Sequence, residues 1–267
     1  MIINNDVQGR PGQKKIRAKK SLGQNFLKSE PALREIVKAG EVIKSDIILE
    51  IGPGKGILTT KLLATGAKVV AVEKDDELFL YLKTKFTDAI NKKQLILIKD
   101  DILTFNIGVQ GGPGQYKIIA NIPYNITGAI LKKFLTAPNQ PILMVLMVQH
   151  EVAKRIVARD AKESLLSMSV KAYGEPKIVM KVPSRYFSPT PKVDSAVISI
   201  KNISRKFFLE RKIKENNFWR VLHAGFAHKR KQLGGNLKEI CTDEQLKDIK
   251  NKRAEDLTLE DWIKLVK

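Results

Sequence analysis

The chain has 267 residues, 43% of them hydrophobic, and carries a formal net charge of +20. That length fits one large domain or a large and a small one, and that apolar fraction is ample for a packed core, which excludes a disordered or fibrous chain. The single cysteine, Cys241, excludes an internal disulfide and a cysteine-built zinc site, and the charge makes a polyanion, nucleic acid ahead of a membrane surface, the first partner to expect.

The first twenty residues hold six basic side chains, Arg10, Lys14, Lys15, Arg17, Lys19 and Lys20, without the apolar stretch of a secretory signal. The longest apolar run, Pro141 to Val148, is strand-sized, far below the ~20 residues of a membrane span. A cytoplasmic protein with no membrane partner is expected. Ser29 ahead of Pro31 predicts a helix start, with Leu33, Ile36 and Val37 on the buried side and Gly40 at the end. Ile47 to Ile51 reads as a buried strand running into Gly52-Pro53-Gly54-Lys55-Gly56. A helix through Leu58 and Leu62 stops at Gly66, and Lys68 to Val72 forms a second strand that ends in Glu73. Asp75 to Phe86 reads as a helix, and Gln94 to Ile98 as a third strand ending at Asp100-Asp101. After a glycine-rich loop, Tyr116 to Ala120 is a fourth strand ending at Asn121-Ile122-Pro123-Tyr124. A helix over Thr127 to Leu135 and a fifth strand from Ile142 to Val148 follow.

Fully apolar strands alternating with helices imply a parallel sheet covered on both faces. Right-handed crossovers gather the carboxyl ends of such strands at one edge, where open α/β sheets bind ligands. Strands around Lys177–Val182 and Val193–Ile200 are expected to add an antiparallel edge pair. The catalytic domain is expected over 1–203, with 1–28 as a basic arm and covering segment. From 201 to 232, ten basic residues face two acids, and short amphipathic helices follow, so 204–267 is expected to be a small helical domain that docks RNA.

The glycine turn discriminates between cofactors. Dinucleotide folds use G-x-G-x-x-G, but the sixth position here is Ile57. G-x-G-x-G with an acid ending the second strand is instead the pattern of class I S-adenosylmethionine-dependent methyltransferases. Glu73 lies 21 residues after Gly52, where a carboxylate accepts both ribose hydroxyls, and Asp101 is placed to accept from the adenine amino group.

Asn121-Ile122-Pro123-Tyr124 belongs to the (Asn/Asp)-Pro-Pro-(Tyr/Phe)-like motifs of amino-group methyltransferases. An adenine N6 amine is a poor nucleophile because its lone pair is delocalised into the ring. Two acceptors against its hydrogens, the Asn121 side-chain carbonyl and the Ile122 backbone carbonyl, localise that pair on the methyl donor. Tyr124 supplies a stacking face for a base taken out of its stack. No general base is required, since the nitrogen becomes acidic once alkylated, and catalysis rests on alignment and polar preorganisation.

Five ordered motifs closely resemble the KsgA (RsmA) family of ribosomal small-subunit RNA adenine N6,N6-dimethyltransferases, across nearly the whole chain. They are Lys19 to Leu27 (KKSLGQNFL), Leu49 to Gly54 (LEIGPG), Asn121 to Thr127 (NIPYNIT), Phe187 to Val197 (FSPTPKVDSAV) and Phe226 to Leu233 (FAHKRKQL). The resemblance implies a class I methyltransferase fold with S-adenosylmethionine as cofactor, contacted by Gln24, Asn25, Leu27, Gly52, Gly54, Glu73, Asp101 and Asn121. It implies that Gln24 to Leu27 fold over the cofactor and that Phe187 is a second stacking face. The implied substrate is a pair of adjacent adenines in a hairpin loop near the 3′ end of small-subunit rRNA, each receiving two methyl groups on a pre-30S particle. The tail is short for the family and carries Lys229-Arg230 where two arginines are usual.

RNA phosphates are expected at two basic segments, Lys14, Lys15, Arg17, Lys19 and Lys20 at the front and Lys229, Arg230 and Lys231 in the tail. His150, His223 and His228 lack metal-ligand spacing, so no metal is expected, and the protein is expected to be a monomer. Two other readings remain: an Erm-type enzyme acting on one adenine of large-subunit (23S) rRNA, and a nucleic-acid-binding factor that kept the fold without catalysis. The tail motif and the long Pro189 to Val197 match favour the small-subunit enzyme over the first. Intact Gly52, Glu73, Asp101 and Asn-Ile-Pro-Tyr weigh against the second.

Overall fold

The computed structural model describes residues 16–266 except 107, 109–115 and 159. Its strands are β1 Phe26–Leu27, β2 Ile47–Ile51, β3 Lys68–Glu73, β4 Leu95–Lys99, β5 Tyr116–Asn121, β6 Leu143–Gln149, β7 Glu175–Val182, β8 Phe187–Ser188 and β9 Ser195–Lys201. Its helices are α1 Glu30–Ala39, α2 Ile57–Ala64, α3 Asp76–Lys85, α4 Thr87–Asn91, α5 Thr127–Leu135, α6 His150–Val157 and α7 Leu165–Lys171. The tail adds α8 Lys206–Glu210, α9 Glu215–Gly225, α10 Leu233–Leu237, α11 Asp243–Leu246 and α12 Leu259–Lys264.

Seven strands form one sheet in the order β4-β3-β2-β5-β6-β9-β7. The first five are mutually parallel, whereas β9 runs antiparallel between β6 and β7. The expected antiparallel edge pair is therefore present. The chain runs outward from β2 to β4 and then restarts on the other side of β2 with β5, which opens a crevice between the carboxyl ends of β2 and β5. Strands β2, β3, β5 and β6 are buried along nearly their whole length, as expected for a sheet covered on both faces. Lys117 is the polar exception in β5. Its ammonium meets the Glu41 carbonyl at 2.7 Å and Asp46 at 2.8 Å, at the edge of the sheet opposite the crevice.

Local chemistry explains the helix starts. Ser29 caps α1 by accepting from the Ala32 N–H at 3.4 Å, and Asp75 caps α3 by accepting from Glu77 and Leu78. Serine and threonine close capping boxes at the starts of α7, α11 and α12. Five elements had not been foreseen: α4, α6, α7, α8 and the two-stranded sheet of β1 with β8, which pairs Leu27 with Phe187.

The architecture changes near residue 203, but the core does not break there. One buried cluster runs from Leu49, Tyr116 and Met144 in the sheet to Phe208, Phe218 and Trp262 in the tail. Phe218 stands edge-on to Phe208 at 5.4 Å and to Trp219 at 5.0 Å, contacts worth ~0.5–1.5 kcal/mol each beyond their burial. Arg205 donates to the Thr136 and Ala137 carbonyls and to Glu215, which also accepts from Tyr173, so the two regions are stitched by charge as well. No helix among the described residues is long and apolar enough to cross a membrane.

Candidate active site

A cleft of about 210 Å³ lies at the carboxyl ends of β2, β3, β4 and β5, with residues 21–27 forming its cover. It brings together Gln24, Asn25, Leu27, Gly52, Gly54, Glu73, Asp101 and the Asn121–Tyr124 segment, which are spread over a hundred residues of sequence. The glycine turn enters it in a left-handed conformation, with φ of +62° at Gly52 and +59° at Gly54. A Cβ at Gly52 would meet nothing within 4 Å, so the space above it belongs to the cleft. A Cβ at Gly54 would press on the Phe26 ring at 3.1 Å, so the cover closes directly over the turn. The Lys55 ammonium rests 4.9 Å from the centre of that same ring.

Glu73 ends β3 with both carboxylate oxygens engaged, one by the Gly54 N–H at 3.2 Å and one by the Asp75 N–H at 2.9 Å. Burial raises its pKa, while those two backbone donors oppose the rise. Asp101 is held by Lys74 at 2.8 Å and by the Leu103 N–H at 2.9 Å, and the Lys74 ammonium keeps its pKa low. Asn121 donates from Nδ2 to the Asn25 carbonyl at 3.1 Å, which ties the catalytic strand end to the cover and leaves its side-chain carbonyl as an acceptor. Tyr124 is fixed at its hydroxyl, 2.5 Å from Ser195 Oγ in β9.

These contacts correct two expectations, for Lys19 and Phe187, and give Gln24 a structural role beside its place in the cleft. Gln24 lines the cleft, but its amide donates to Asp75 and accepts from the Lys19 N–H, so it fastens the cover. Lys19 points its ammonium at Asp75 and Glu77, because two carboxylates lie within reach, and so is not a free phosphate contact. Phe187 is 1% exposed, pairs with Leu27, belongs to the same buried cluster as Leu33 and Val182, and is not part of the cleft lining, so its ring presents no face to the cleft. Among the remaining basic residues, Arg17, Lys20, Lys229, Arg230 and Lys231 are exposed, and Lys14 and Lys15 lie outside the described residues.

Sequence reasoning had assigned no role to Glu50, Asp75 or Ser195. Glu50 is 1% exposed, and its Oε2 has no hydrogen-bond partner among the described residues. Burial pushes its pKa up to about 8, and the Glu73 carboxylate adds to the rise. The signal was an acid inside the otherwise apolar Ile47-Ile48-Leu49-Glu50-Ile51. Ser195 gave no signal, since its partner lies 71 residues away.

These residues suit a cationic ligand that carries a ribose. A buried carboxyl with one oxygen unpaired among the described residues faces the cleft at Glu50, a second carboxylate ends β3, and the turn at Gly52 is bare of side chain. A sheet in this order, parallel but for β9 and β7 at one side, is the class I S-adenosylmethionine-dependent methyltransferase fold, and the cleft lies at its topological switch point. The chain belongs to the ribosomal RNA adenine dimethylase family, which it matches over residues 15–267. It is 39% identical over 260 residues to a ribosomal RNA small subunit methyltransferase A from Dehalococcoides mccartyi, covering 94% of this chain and 88% of the relative. The crystal structure of a dimethyladenosine transferase from Plasmodium falciparum is similar with a TM-score of 0.75 at 26% identity, covering 90% of this chain and 95% of that one. The 23S rRNA methyltransferase ErmE has the same fold, with a TM-score of 0.74 at 23% identity, covering 91% of this chain and 98% of that one.

Proposed function

We propose that this protein dimethylates the N6 amines of two adjacent adenines in a hairpin loop near the 3′ end of 16S rRNA, using S-adenosylmethionine. The observation that carries the reading is the Asn121 amide. With its nitrogen held by the Asn25 carbonyl, its oxygen is left to accept from a substrate amine at the mouth of the cleft. The choice of the small subunit rests on relatives at 35–39% identity over more than nine-tenths of this chain, all named for that subunit. The ErmE likeness supports the shared fold alone.

The donor, when bound, supplies an electrophilic methyl group on sulfur. Glu73 and Asp101 would hold its ribose and adenine, and Glu50 would offer the buried carboxyl beside the glycine turn. Asn121 and the Ile122 backbone carbonyl accept from the two hydrogens of the target amine. Pulling on both hydrogens moves the nitrogen towards tetrahedral geometry and turns its lone pair to the methyl group. The proton leaves the alkylated nitrogen without a dedicated base. Both acceptors are neutral carbonyl oxygens, so they polarise the amine without taking its proton before the methyl group is transferred.

Tyr124 offers its ring to the extruded base, and its hydroxyl bond to Ser195 sets the ring's angle. Stacking of this type is worth ~1–3 kcal/mol per base. Arg17, Lys20 and Lys229 to Lys231 serve as exposed cations for RNA phosphates. The protein acts as a monomer in the cytoplasm on the pre-30S particle. The test is methylation of immature small and large ribosomal particles with labelled donor, followed by mass spectrometry of the RNA. Two dimethyladenosines confined to small-subunit RNA are expected, and label in large-subunit RNA refutes the assignment.

A further inference from the structure

The front basic segment and the donor site meet at one residue that the mechanism above does not use. Asp75 is 3% exposed and stands two residues beyond Glu73. Its carboxylate accepts from the Lys19 ammonium at 2.9 Å and from Gln24 Nε2 at 3.1 Å while capping α3 through the Glu77 and Leu78 N–H groups. Its own N–H donates to Glu73 Oε1 at 2.9 Å. Gln24 closes the ring by accepting from the Lys19 N–H at 2.8 Å.

We infer that Asp75 and Lys19 are positioning residues of the donor site: together they latch the cover shut over S-adenosylmethionine, and Lys19 serves donor retention rather than RNA binding. This rests on the proposed use of the cleft for the donor. The covering segment is tied at two ends. At residues 19 and 24 it is held by Asp75, and at residues 25–27 by Asn121 and by the pairing of Leu27 with Phe187. Between these ties, Phe26 lies over Gly54. A donor lodged between Glu73 and the glycine turn leaves only when this segment lifts, and lifting it breaks the ion pair. Capping α3 needs only an acceptor, which an asparagine also supplies. The cation bound by Asp75 therefore adds something that the helix does not require. The two groups also perturb each other: Asp75 holds the Lys19 pKa up, and the Lys19 ammonium, with the Leu78 N–H and Gln24, outweighs the burial that would raise Asp75.

The test uses the full-length protein with Lys19→Met, Lys19→Arg, Asp75→Asn and the Lys19→Met/Asp75→Asn double variant. Donor Kd is measured calorimetrically, donor residence by competition, RNA Kd by titration, and trypsin cleavage at Lys20 and Lys28 on ligand-free protein. Lys19→Met is expected to weaken donor binding ~3–5-fold, because the pair is partly exposed. Asp75→Asn is expected to weaken it ~10-fold, since Gln24 loses its charged anchor as well. The double variant should match Asp75→Asn, Lys19→Arg should restore most of the affinity, and cleavage should quicken in Lys19→Met and Asp75→Asn while RNA Kd stays constant. Weakened RNA binding with unchanged donor affinity in Lys19→Met overturns the inference, as does additive behaviour of the pair. Failure of the unmutated protein to bind the donor strikes instead at the assignment of the cleft.

Discussion

Replacing Asn121 by alanine tests the chemistry most directly. The substitution deletes the side-chain carbonyl that accepts from the substrate amine and the Nδ2 donor that meets the Asn25 carbonyl at 3.1 Å. The first loss acts in the transition state. By analogy with single preorganised donors in acyl transfer, it costs ~10²–10³ in rate, or ~2.7–4 kcal/mol. The second acts in the ground state. It leaves a partly buried carbonyl without its partner, at ~1–3 kcal/mol, and loosens the cover. Steady-state rates would mix the two, so the assay is single-turnover methyl transfer at saturating donor, with RNA affinity measured separately. The expected result is a chemical step slowed at least 10²-fold with RNA Kd changed less than about threefold. Asn121→Asp, which keeps an acceptor but places a carboxylate against the Asn25 carbonyl, should be similarly impaired. A near-normal single-turnover rate in Asn121→Ala would remove the acceptor role and with it the proposed mechanism.

Other expectations follow from the same contacts. Tyr124→Phe keeps the ring but leaves the fully buried Ser195 hydroxyl unpaired, so it should lower stability by ~1–3 kcal/mol in urea unfolding while methylation persists; Tyr124→Ala should lose activity through stacking. Equal activity of the two variants would refute the stacking role. Glu50 keeps its proton in the folded, donor-free protein up to about pH 8, whereas the unfolded chain releases it near 4.5. The folded state thus binds more protons, and this contribution is complete below about 4.5 and lost as pH rises through about 8. Glu50→Gln should therefore match the parent at pH 4.5 and gain stability over it with rising pH, to a ceiling of about 5 kcal/mol at 1.36 kcal/mol per pH unit; parallel pH profiles would refute it. Reversing the charges at Lys229, Arg230 and Lys231 should weaken RNA binding and reduce the slope of log K against log salt by about 2, whereas an unchanged slope removes that segment from the docking surface.

The order of strands and helices, the glycine turn, the strand-end acids and the Asn-Ile-Pro-Tyr segment were all legible in the chain. Each is a local pattern: apolar runs of strand length, a glycine turn read from its spacing, a cap such as Ser29 at a helix start. Right-handed crossovers turned that order into a shared cleft without further information. Five elements escaped this reasoning, among them the pairing of Phe26–Leu27 with Phe187–Ser188, because a two-residue strand has no periodicity to detect.

Side-chain allegiance was decided only in three dimensions. A lysine in a basic stretch looks like a phosphate contact until folding sets a carboxylate 56 residues away beside it, as happens to Lys19 with Asp75. An aromatic in a recognised motif looks like a stacking platform until strand pairing turns it inward, as happens to Phe187. Tyr124 owes the fixed angle of its ring to Ser195 on the antiparallel strand β9. Backbone conformation follows from neighbours along the chain, whereas the partner of a charge or a hydroxyl depends on which distant segment folding brings within 3 Å.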